Sequence, residues 1–322
     1  TGYWDLKGKP NKKTFISREF AYHGSTMTGM SLGGMTAMHS QGDMMPGFEH
    51  VLPPYWYKYG GDMSHDDFGI HAANKIEEKI NEIGPDNIAA FIGEPIQGAG
   101  GVIIPPDTYW PRVQEICNQY DILLVVDEVI CGFGRTGNWF GSDTYNIKPD
   151  IITMAKGITS GYIPLSGIMI CDRVCETLIN EGGEFYHGYT YSGHPVACAV
   201  SLENLKIIKE ENLIEQSRNV SVYLEQQMRE IEKHPLVGEV RMKSFIGAVE
   251  LVKDKETKEM FKNTGTVGTI CRDHCIENGL VMRAVRDGMI FCPPLIFNNN
   301  HVDELCEKLK TSLDQTLDHI SK

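Results

Sequence analysis

The stretch Ile122-Leu123-Leu124-Val125-Val126-Asp127-Glu128 decides the fold of this chain, because five apolar residues run directly into two carboxylates. A short, continuous apolar run of this kind is typical of a strand that is buried on both faces. Similar runs occur along the chain at 14–17, 88–92, 150–154 and 166–170, and helical patterns at 64–84 and 108–120 separate them. This alternation predicts an α/β fold with a mainly parallel sheet that helices cover on both sides.

The helical pattern at 64–84 shows how the boundaries are predicted. Ser64 is a good N-cap residue, two aspartates follow it within the first turn, and Gly84 with the proline after it predicts the end. The apolar positions, which are spaced three and four apart and should face the core, are Ile70, Ala73, Ile76 and Ile80.

The character of the sequence changes after Pro195. Two long helical patterns, at 196–211 and 213–233, precede short strand patterns at 237–242, 247–252, 280–285 and 289–292, a helix near 266–278 and a terminal helix at 301–320. We therefore expect a large domain over residues 1–200 and a smaller α+β domain over residues 201–322.

Composition and charge exclude several kinds of protein. The chain has 322 residues, with 30 basic and 43 acidic side chains and a formal net charge of −13. A negative balance without long charge runs argues against nucleic acid or an anionic membrane surface as a partner. No apolar run approaches the ~18 residues of a membrane span, and residues 1–15 carry no apolar segment typical of a secretory signal.

The cysteines indicate a reducing compartment. There are nine, none of them in a CxxC pair, and a chain of this length needs no disulfides to fold, so we expect free thiols and a cytoplasmic location. Cys271 and Cys275 are one helical turn apart, but no second pair of ligands follows them, so no metal site is expected.

Reactive side chains follow four of the predicted strands. They are Tyr22-His23-Gly24, Glu94, Asp127 with Glu128, and Lys156. Because ligands of an open parallel sheet bind beyond the carboxyl ends of its strands, these residues are expected to meet in one site.

Lys156 and Asp127 are the most informative pair. Lys156 follows an apolar strand, and a desolvated lysine has a lowered pKa and a neutral amine that can form a Schiff base. Asp127 follows five aliphatic residues, and a buried carboxylate needs a cation or a donor, which a protonated pyridine nitrogen would supply. Together the two residues predict a pyridoxal phosphate (PLP) enzyme.

Longer motifs resemble one known family. The segments are Asp127-Glu128-Val129-Ile130-Cys131-Gly132-Phe133-Gly134-Arg135-Thr136-Gly137, Lys156-Gly157, Tyr22-His23-Gly24, Gly93-Glu94-Pro95-Ile96-Gln97-Gly98, and 187–195 (HGYTYSGHP). They resemble the signature blocks of class III (ω-type) aminotransferases. Residues 60–63 and 161–164 are most similar to those of amine–pyruvate and putrescine–pyruvate transaminases. The implied fold is the PLP-dependent transferase type I, which is aspartate-aminotransferase-like.

The resemblance also implies roles around the cofactor. Lys156 would form an imine with PLP and move a proton between the substrate Cα and the C4′ carbon of the cofactor. Asp127 would keep the ring nitrogen protonated, Val129 would pack on the ring face opposite Tyr22, and Glu94 would belong to the hydrogen-bonding groups beside the ring. The Tyr22-His23-Gly24 segment would line the cofactor site.

Two further implications concern substrate and assembly. Arg283 would bind the carboxylate of the keto acid, with Arg286 as a second candidate. Thr190 would bind the cofactor phosphate of the neighbouring subunit, so the active site would be shared in a homodimer or a dimer of dimers. The small-molecule partners would be a primary amine or ω-amino acid and pyruvate or a similar keto acid.

Family members carry a further segment ahead of the region where this chain starts. It binds the PLP phosphate at a Gly-Ser-rich helix start and contributes aromatic walls to the substrate pocket. Residues 3–10 resemble the end of the helix that follows it, so we expect full activity to depend on such a segment.

Two alternatives remain open at this point. One is a non-catalytic or truncated homologue with the same fold. The other is an NAD-dependent dehydrogenase, because residues 132–137 (GFGRTG) fit G-x-G-x-x-G. The dinucleotide fingerprint, however, needs its first glycine at the end of the strand and a helix directly after the motif, and the sequence here provides neither.

Overall fold

The structure is a computed structural model that describes residues 1–321. Its strands are β1 (Thr14–Arg18), β2 (Phe48–Val51), β3 (Ile88–Gly93), β4 (Leu123–Asp127), β5 (Ile151–Met154), β6 (Gly167–Ile170), β7 (Val237–Lys243), β8 (Ile246–Leu251), β9 (Arg283–Val285) and β10 (Gly288–Phe291). Its helices are α1 (Gly2–Leu6), α2 (Met27–Leu32), α3 (Thr36–His39), α4 (Trp56–Tyr59), α5 (His65–Ile83), α6 (Tyr109–Gln119), α7 (Gly141–Thr144), α8 (Asp172–Glu181), α9 (Pro195–Glu210), α10 (Leu213–Ile231), α11 (Thr266–Glu277) and α12 (Asn299–Ile320).

The strands form two sheets. The first has the order β2-β1-β3-β4-β5-β6, and every neighbouring pair is parallel except β5 with β6. The second has the order β7-β8-β10-β9 and is antiparallel throughout. The α/β class and the mainly parallel first sheet, both predicted from the sequence, are confirmed.

Helix α5 begins and ends where the sequence predicts. The Ser64 hydroxyl accepts a hydrogen bond from the backbone N–H of Asp67, and Gly84 ends the helix with a φ of +95°. Its buried side includes Ala73, Ile76 and Ile80, but Ile70 is 42% exposed, so that part of the predicted apolar face is wrong. Residues Phe68 and Ala72 face the core instead, one helical turn apart.

The core lies between the two sheets and their helices. One cluster joins β1, β3 and β4 to α5 and α6, and it also takes in Ile246 and Ala248 of β8. A second cluster lies between the second sheet and helices α10, α11 and α12. A third covers the other face of the first sheet with Tyr3 and Trp4 of α1 and Val174 of α8. The second sheet therefore shares a hydrophobic core with the first sheet, in addition to its covalent connection.

The prediction that helices cover the first sheet on both sides is wrong for its last two strands. All residues of β3 and β4 are buried, but β5 is only half-buried, and Ile168 and Met169 of β6 are exposed. Strand β6 is a short antiparallel edge strand, and helix α8 covers one side of it through Ile170 and Val174. The remaining apolar surface of this edge stays open in the single chain.

Several short elements were not expected. The sequence analysis assigned nothing to β2, α2, α3, α4, α7 or α8, which are mostly four to six residues long. Segments of this length depend on tertiary contacts more than on their own periodicity. Within residues 1–321, no helix combines the length and the hydropathy needed to cross a bilayer.

Candidate active site

The carboxyl ends of β1, β3, β4 and β5 lie at one edge of the first sheet. The register of β4 with β5 pairs Asp127 with Thr153, so Lys156 lies three residues beyond the residue that neighbours Asp127. Strand β3 leads into Glu94 at the same edge, and the loop after β1 returns to it at Tyr22. The parallel register therefore brings together the residues that the sequence analysis selected.

Asp127 is held by two contacts. One carboxylate oxygen lies 2.7 Å from Nδ1 of His23, and the other accepts a hydrogen bond of 3.1 Å from the backbone N–H of Val129. The side chains of Asp127 and His23 are 9% and 2% exposed. The Nε2 atom of His23 is buried and has no protein partner among the described residues. The carboxylate is thus fixed in orientation, and no lysine or arginine within residues 1–321 pairs with it.

Glu94 is buried behind the Tyr22 loop. Its two carboxylate oxygens accept hydrogen bonds from the backbone N–H of Tyr22 (3.2 Å) and of Gly98 (2.9 Å). Burial raises the pKa of Glu94, and the nearby His23 opposes that shift. Glu94 thereby links the loop after β1 to the loop after β3, and it fixes the backbone of both loops beside the site.

Glu128 points away from Asp127, as neighbouring residues of a strand do. It is fully buried and accepts hydrogen bonds from the backbone N–H groups of Gly141 (2.8 Å) and Ser142 (2.6 Å) and from the Ser142 hydroxyl (2.6 Å). Burial raises its pKa. The sequence predicts Glu128 to be part of the site, whereas in the structure it holds the first turn of α7, to which Gly141 and Ser142 belong.

Lys156 differs from its expected environment. Its side chain is exposed in the single chain, and the strand before it, β5, is only half-buried. The prediction that Lys156 is desolvated at the end of this strand is therefore wrong for the single chain. The cause is the open edge next to β6. The backbone of Lys156 has a φ of +46°, a left-handed conformation that is uncommon for a residue with a side chain and is often found at functional sites.

A cavity of about 650 Å³ opens at Lys156. It is lined by Tyr22, Ser25, Met30, Met35, Met38, Gln41, Gly98, Ala99, Val102, Ile130, Lys156, Arg283, Ile290 and Cys292. The three methionines, which come from α2, α3 and the turn between them, are not among the site residues that the sequence predicts. Their spacing is not that of a regular helix, and no signal in the sequence distinguishes them from core residues.

The two candidate arginines have different surroundings. Arg283 is exposed at the start of β9 and lines this cavity, and its side chain has no hydrogen bond or ion pair to another described residue. Arg286 donates a hydrogen bond of 2.7 Å to the carbonyl of Gly100, and its guanidinium lies 4.6 Å from the centre of the Phe20 ring. Arg283 is therefore the arginine that is free to bind a ligand in the cavity.

A second cavity, of about 670 Å³, lies on the other side of Lys156. Its walls include Thr159, Gly161, Tyr189 and Tyr191. Thr190 lies in the same exposed segment, between Tyr189 and Tyr191. The structure thus brings Lys156, Asp127, His23 and Tyr22 together with Arg283, and it leaves Thr190 at the surface.

Residues 132–137 do not form a dinucleotide-binding loop. They lie in a run of turns and bends that begins at residue 129, two residues after β4, and the helix that follows, α7, spans only Gly141–Thr144. Arg135 of this segment donates to the carbonyls of Phe245 and Pro293, which attaches the segment to the second sheet. The geometry needed for a pyrophosphate at a helix N-terminus is missing here.

Comparison with known proteins agrees with this geometry. The sequence profile of the class III aminotransferase family matches residues 2–313. The chain is 56% identical over 316 residues to putrescine–pyruvate aminotransferase of Pseudomonas aeruginosa, covering 98% of this chain and 69% of that protein. It is 39% identical over 325 residues to the chloroplastic gamma aminobutyrate transaminase 3 of Solanum lycopersicum, covering 99% of this chain and 62% of that protein.

Solved structures give the same result. A thermostable (S)-enantioselective omega-transaminase from Thermomicrobium roseum superposes with a TM-score of 0.93 and 44% identity, covering 98% of this chain and 70% of the other. The resemblance noted in the sequence is thereby confirmed, together with the type I fold. This chain belongs to the class III aminotransferases, enzymes that transfer an amino group from an amine to a keto acid.

Proposed function

We propose that this protein uses PLP to transfer an amino group from a primary amine or an ω-amino acid to pyruvate or a similar keto acid. One observation carries the proposal. Asp127 ends β4, Lys156 lies two residues beyond the end of the adjacent strand β5, and Lys156 lines a cavity together with Arg283, whose side chain has no partner among the described residues. An amine, a buried acid and a guanidinium are the groups that a PLP-dependent transfer to a keto acid requires.

The residues present fit the cofactor, on which the class III family depends. Asp127 has a fixed carboxylate without a cationic side chain from lysine or arginine, as a partner for a protonated ring nitrogen should have. Tyr22 lines the cavity, and half-buried Val129 lies two residues beyond Asp127, so both could flank a planar ring. The unpartnered Nε2 of buried His23 leaves a polar atom for further hydrogen bonding beside the site.

Each residue then has a defined task. PLP, when bound, withdraws electrons from the bond that is broken at the substrate Cα. Lys156 would hold the cofactor through Nζ and move the proton at Cα, Asp127 would keep the proton on the ring nitrogen, and His23 would orient Asp127. Glu94 would act as a positioning residue, since it holds the backbone of Tyr22 and Gly98. Arg283 would bind the carboxylate of the keto acid.

The cavity wall supports an aliphatic or aromatic amine as the donor. Met30, Met35 and Met38 give it a flexible apolar side that adapts to ligands of different shape. Lys156 and Arg283 are the charged side chains of the lining, and no carboxylate lies among the lining residues described. The similarity to the Pseudomonas enzyme makes putrescine with pyruvate the first pair to assay.

We also propose a homodimer, or a dimer of dimers, with a shared site. An apolar surface is exposed at the segment that lines the second cavity beside Lys156, with Phe185, Tyr186, Tyr189 and Tyr191 all at least 73% exposed. Ile168 and Met169 of β6 are exposed as well. A partner subunit covering it would also desolvate Lys156. Thr190 of one protomer would then lie where it could bind the cofactor phosphate of its partner.

The division into a large PLP-binding domain, residues 1–200, and a small domain, residues 201–322, is part of the proposal. The first sheet and the second sheet fall on either side of this boundary. A cytoplasmic location is supported by the thiols, since all nine cysteines are free.

The test is an assay of the purified protein with PLP. We expect an absorbance band from the lysine-bound cofactor that borohydride abolishes, and turnover of pyruvate with putrescine, β-alanine or an arylalkylamine. Turnover without the band, or a band that survives in Lys156→Ala, would contradict the assignment of Lys156. A band without turnover for any amine would favour the non-catalytic homologue.

A further inference from the structure

We infer that Arg286 is a positioning residue. Its side chain holds the turn of the β9–β10 hairpin against the loop at 98–102, which lines the substrate cavity, and this contact fixes the position of Arg283. The inference rests on the proposed function in one respect, that Arg283 binds the keto acid carboxylate. It concerns a residue that lies outside the cavity lining, acts through its neighbours, and contacts no substrate.

The hairpin turn is strained at Arg286. The turn joins β9, which ends at Val285, to β10, which starts at Gly288, and Arg286 has a φ of +56°. Glycine or asparagine is the ordinary choice for such a backbone conformation, because a Cβ there crowds the neighbouring carbonyl. A strained arginine in place of glycine indicates that its side chain has a task that outweighs the strain.

That side chain reaches across to the first domain. Its guanidinium donates to the carbonyl of Gly100 and lies over the ring of Phe20, and Gly101 leaves room for it because a Cβ there would be 3.0 Å from Nη2 of Arg286. The loop that it holds lines the cavity with Gly98, Ala99 and Val102. Arg286 thus connects the turn of the hairpin to the cavity wall that faces Arg283.

The other side of the turn is fixed by helix α11. The carboxylate of Asp287 accepts hydrogen bonds from the backbone N–H groups of Gly265 (2.8 Å) and Gly268 (2.9 Å). Gly268 also approaches the carbonyl of Arg286 so closely that a Cβ at this position would clash with it. The turn is therefore held between α11 and the loop at 98–102, and Arg286 supplies its side-chain contact with the loop.

A second arginine reinforces the same loop. Arg241 donates to the carbonyls of Gly101 (2.7 Å) and Val102 (2.8 Å), and it is paired with buried Glu250 at 2.7 Å. Arg241 belongs to β7, so it holds the loop against the second sheet independently of Arg286. Loss of Arg286 should consequently loosen the hairpin and Arg283 while the loop itself stays in place.

The consequence concerns the keto acid in particular. Arg283 starts the hairpin, three residues before Arg286, and its own side chain has no partner among the described residues that could hold it. Its distance to the reacting carbonyl is then set by the backbone of β9. A small displacement of a binding group costs a large part of the rate, whereas a substrate without a carboxylate makes no use of Arg283.

The test compares Arg286→Gly with Lys258→Gly. Lys258 also has a left-handed backbone, with a φ of +57°, and its ammonium lies 4.2 Å from the Trp56 ring, but it is remote from the cavity. Both changes remove strain and a cation over an aromatic ring. We expect melting temperatures within about 3 °C of the parent protein for both variants.

Three quantities are measured: the KM for pyruvate and kcat/KM for butanal, both with putrescine as the amino donor, and the amide hydrogen exchange of the hairpin. For Arg286→Gly we expect the KM for pyruvate to rise roughly tenfold while kcat/KM for butanal, which has no carboxylate, stays unchanged. Amide hydrogen exchange over residues 283–291 should accelerate in Arg286→Gly. Lys258→Gly should match the parent protein in all three measurements.

The outcomes separate this inference from the proposed function. If Arg286→Gly leaves both the exchange of the hairpin and the KM for pyruvate unchanged, Arg286 is not a positioning residue. If pyruvate and butanal suffer equally, its effect is general and the inference is also overturned. If Arg283→Gln leaves the KM for pyruvate unchanged, the role of Arg283 in the proposed function fails, while faster exchange in Arg286→Gly would still show the pinning of the hairpin.

Discussion

Nδ1 of His23 lies 2.7 Å from Oδ2 of Asp127, although 104 residues separate the two in the sequence. The contact is almost fully enclosed, and a backbone N–H from Val129 holds the other carboxylate oxygen. Asp127 therefore cannot rotate away without leaving a buried donor unpaired, which is costly. A carboxylate with a fixed direction and few cationic neighbours is suited to stabilise a positive charge that a ligand brings into the site.

The first prediction concerns this carboxylate. Asp127→Asn should still bind PLP, because the cofactor keeps its other contacts, but an amide cannot favour a protonated ring nitrogen. Proton transfer at the substrate Cα should slow by roughly 100-fold or more in a single turnover. Unchanged single-turnover kinetics in a folded variant would contradict the role proposed for Asp127.

The second prediction concerns Lys156. Lys156→Ala should lose transamination by many orders of magnitude, since the covalent and the proton-transfer roles are removed together. Stability should change little, because Lys156 is exposed in the single chain. Lys148, an exposed lysine of the same domain, provides the matched control, and Lys148→Ala should keep full activity. The assignment fails if Lys156→Ala retains a tenth of the normal turnover.

The third prediction concerns a buried ammonium far from the site. Nζ of Lys12 donates to four carbonyls, those of Pro85, Ile88, Tyr120 and Asp121, at 2.9 to 3.4 Å, and it lies 4.7 Å from a ring centroid of Trp4. Lys12→Met would leave those acceptors without their donor, so the free energy of unfolding should fall by about 3 kcal/mol in urea titrations. Exposed Lys7→Met should change it by less than about 0.5 kcal/mol.

The fourth prediction concerns pH. Burial lowers the pKa of His50, and the neighbouring His39, whose ring centre is 5.3 Å away, lowers it further. In the unfolded chain His50 has an ordinary pKa of about 6.5 and binds its proton first as the pH falls. The unfolded state then holds more protons than the folded state, so stability decreases as the pH falls through about 6.5.

The measurement is urea unfolding of the parent protein and of His50→Gln at about pH 7.5 and about pH 5.5. The loss of stability on acidification should be smaller in His50→Gln than in the parent protein. His65→Gln, a change at an exposed histidine, should leave the loss as large as in the parent. Equal losses in the parent and in His50→Gln would show that His50 does not contribute.

Much of the fold could be predicted because its central elements carry strong local signals. The apolar run at 122–126 and the capped helix beginning after Ser64 differ from the observed elements by one or two residues. The short helices α2 and α3 could not be found in this way, since α2 depends on packing against β1 and β2, and α3 packs against α2. The exposure of β5 and β6 could not be predicted either, since it depends on which elements pack against the edge of the sheet and not on the sequence of the strands.

The site was predictable in its residue types and less so in its geometry. Strand ends identified Lys156 and Asp127, because parallel register converts positions in the sequence into neighbours in space. The choice between Arg283 and Arg286 needed the structure, since two guanidiniums three residues apart look equivalent in a sequence. The hydrogen bond of Arg286 to Gly100 and its contact with the Phe20 ring distinguish the engaged arginine from the free one.

The adjacent acids Asp127 and Glu128 face opposite ways, and this has a consequence for how mutations at the two positions would appear in a living cell. A substitution at Glu128 leaves three buried hydrogen-bond donors without an acceptor, so it should lower the amount of folded protein that escapes degradation. Asp127→Asn keeps an oxygen that can accept from Val129, so it should leave the abundance of the protein close to normal and remove its activity. In a scan that records abundance and growth separately, two neighbouring codons would thus fall into different classes.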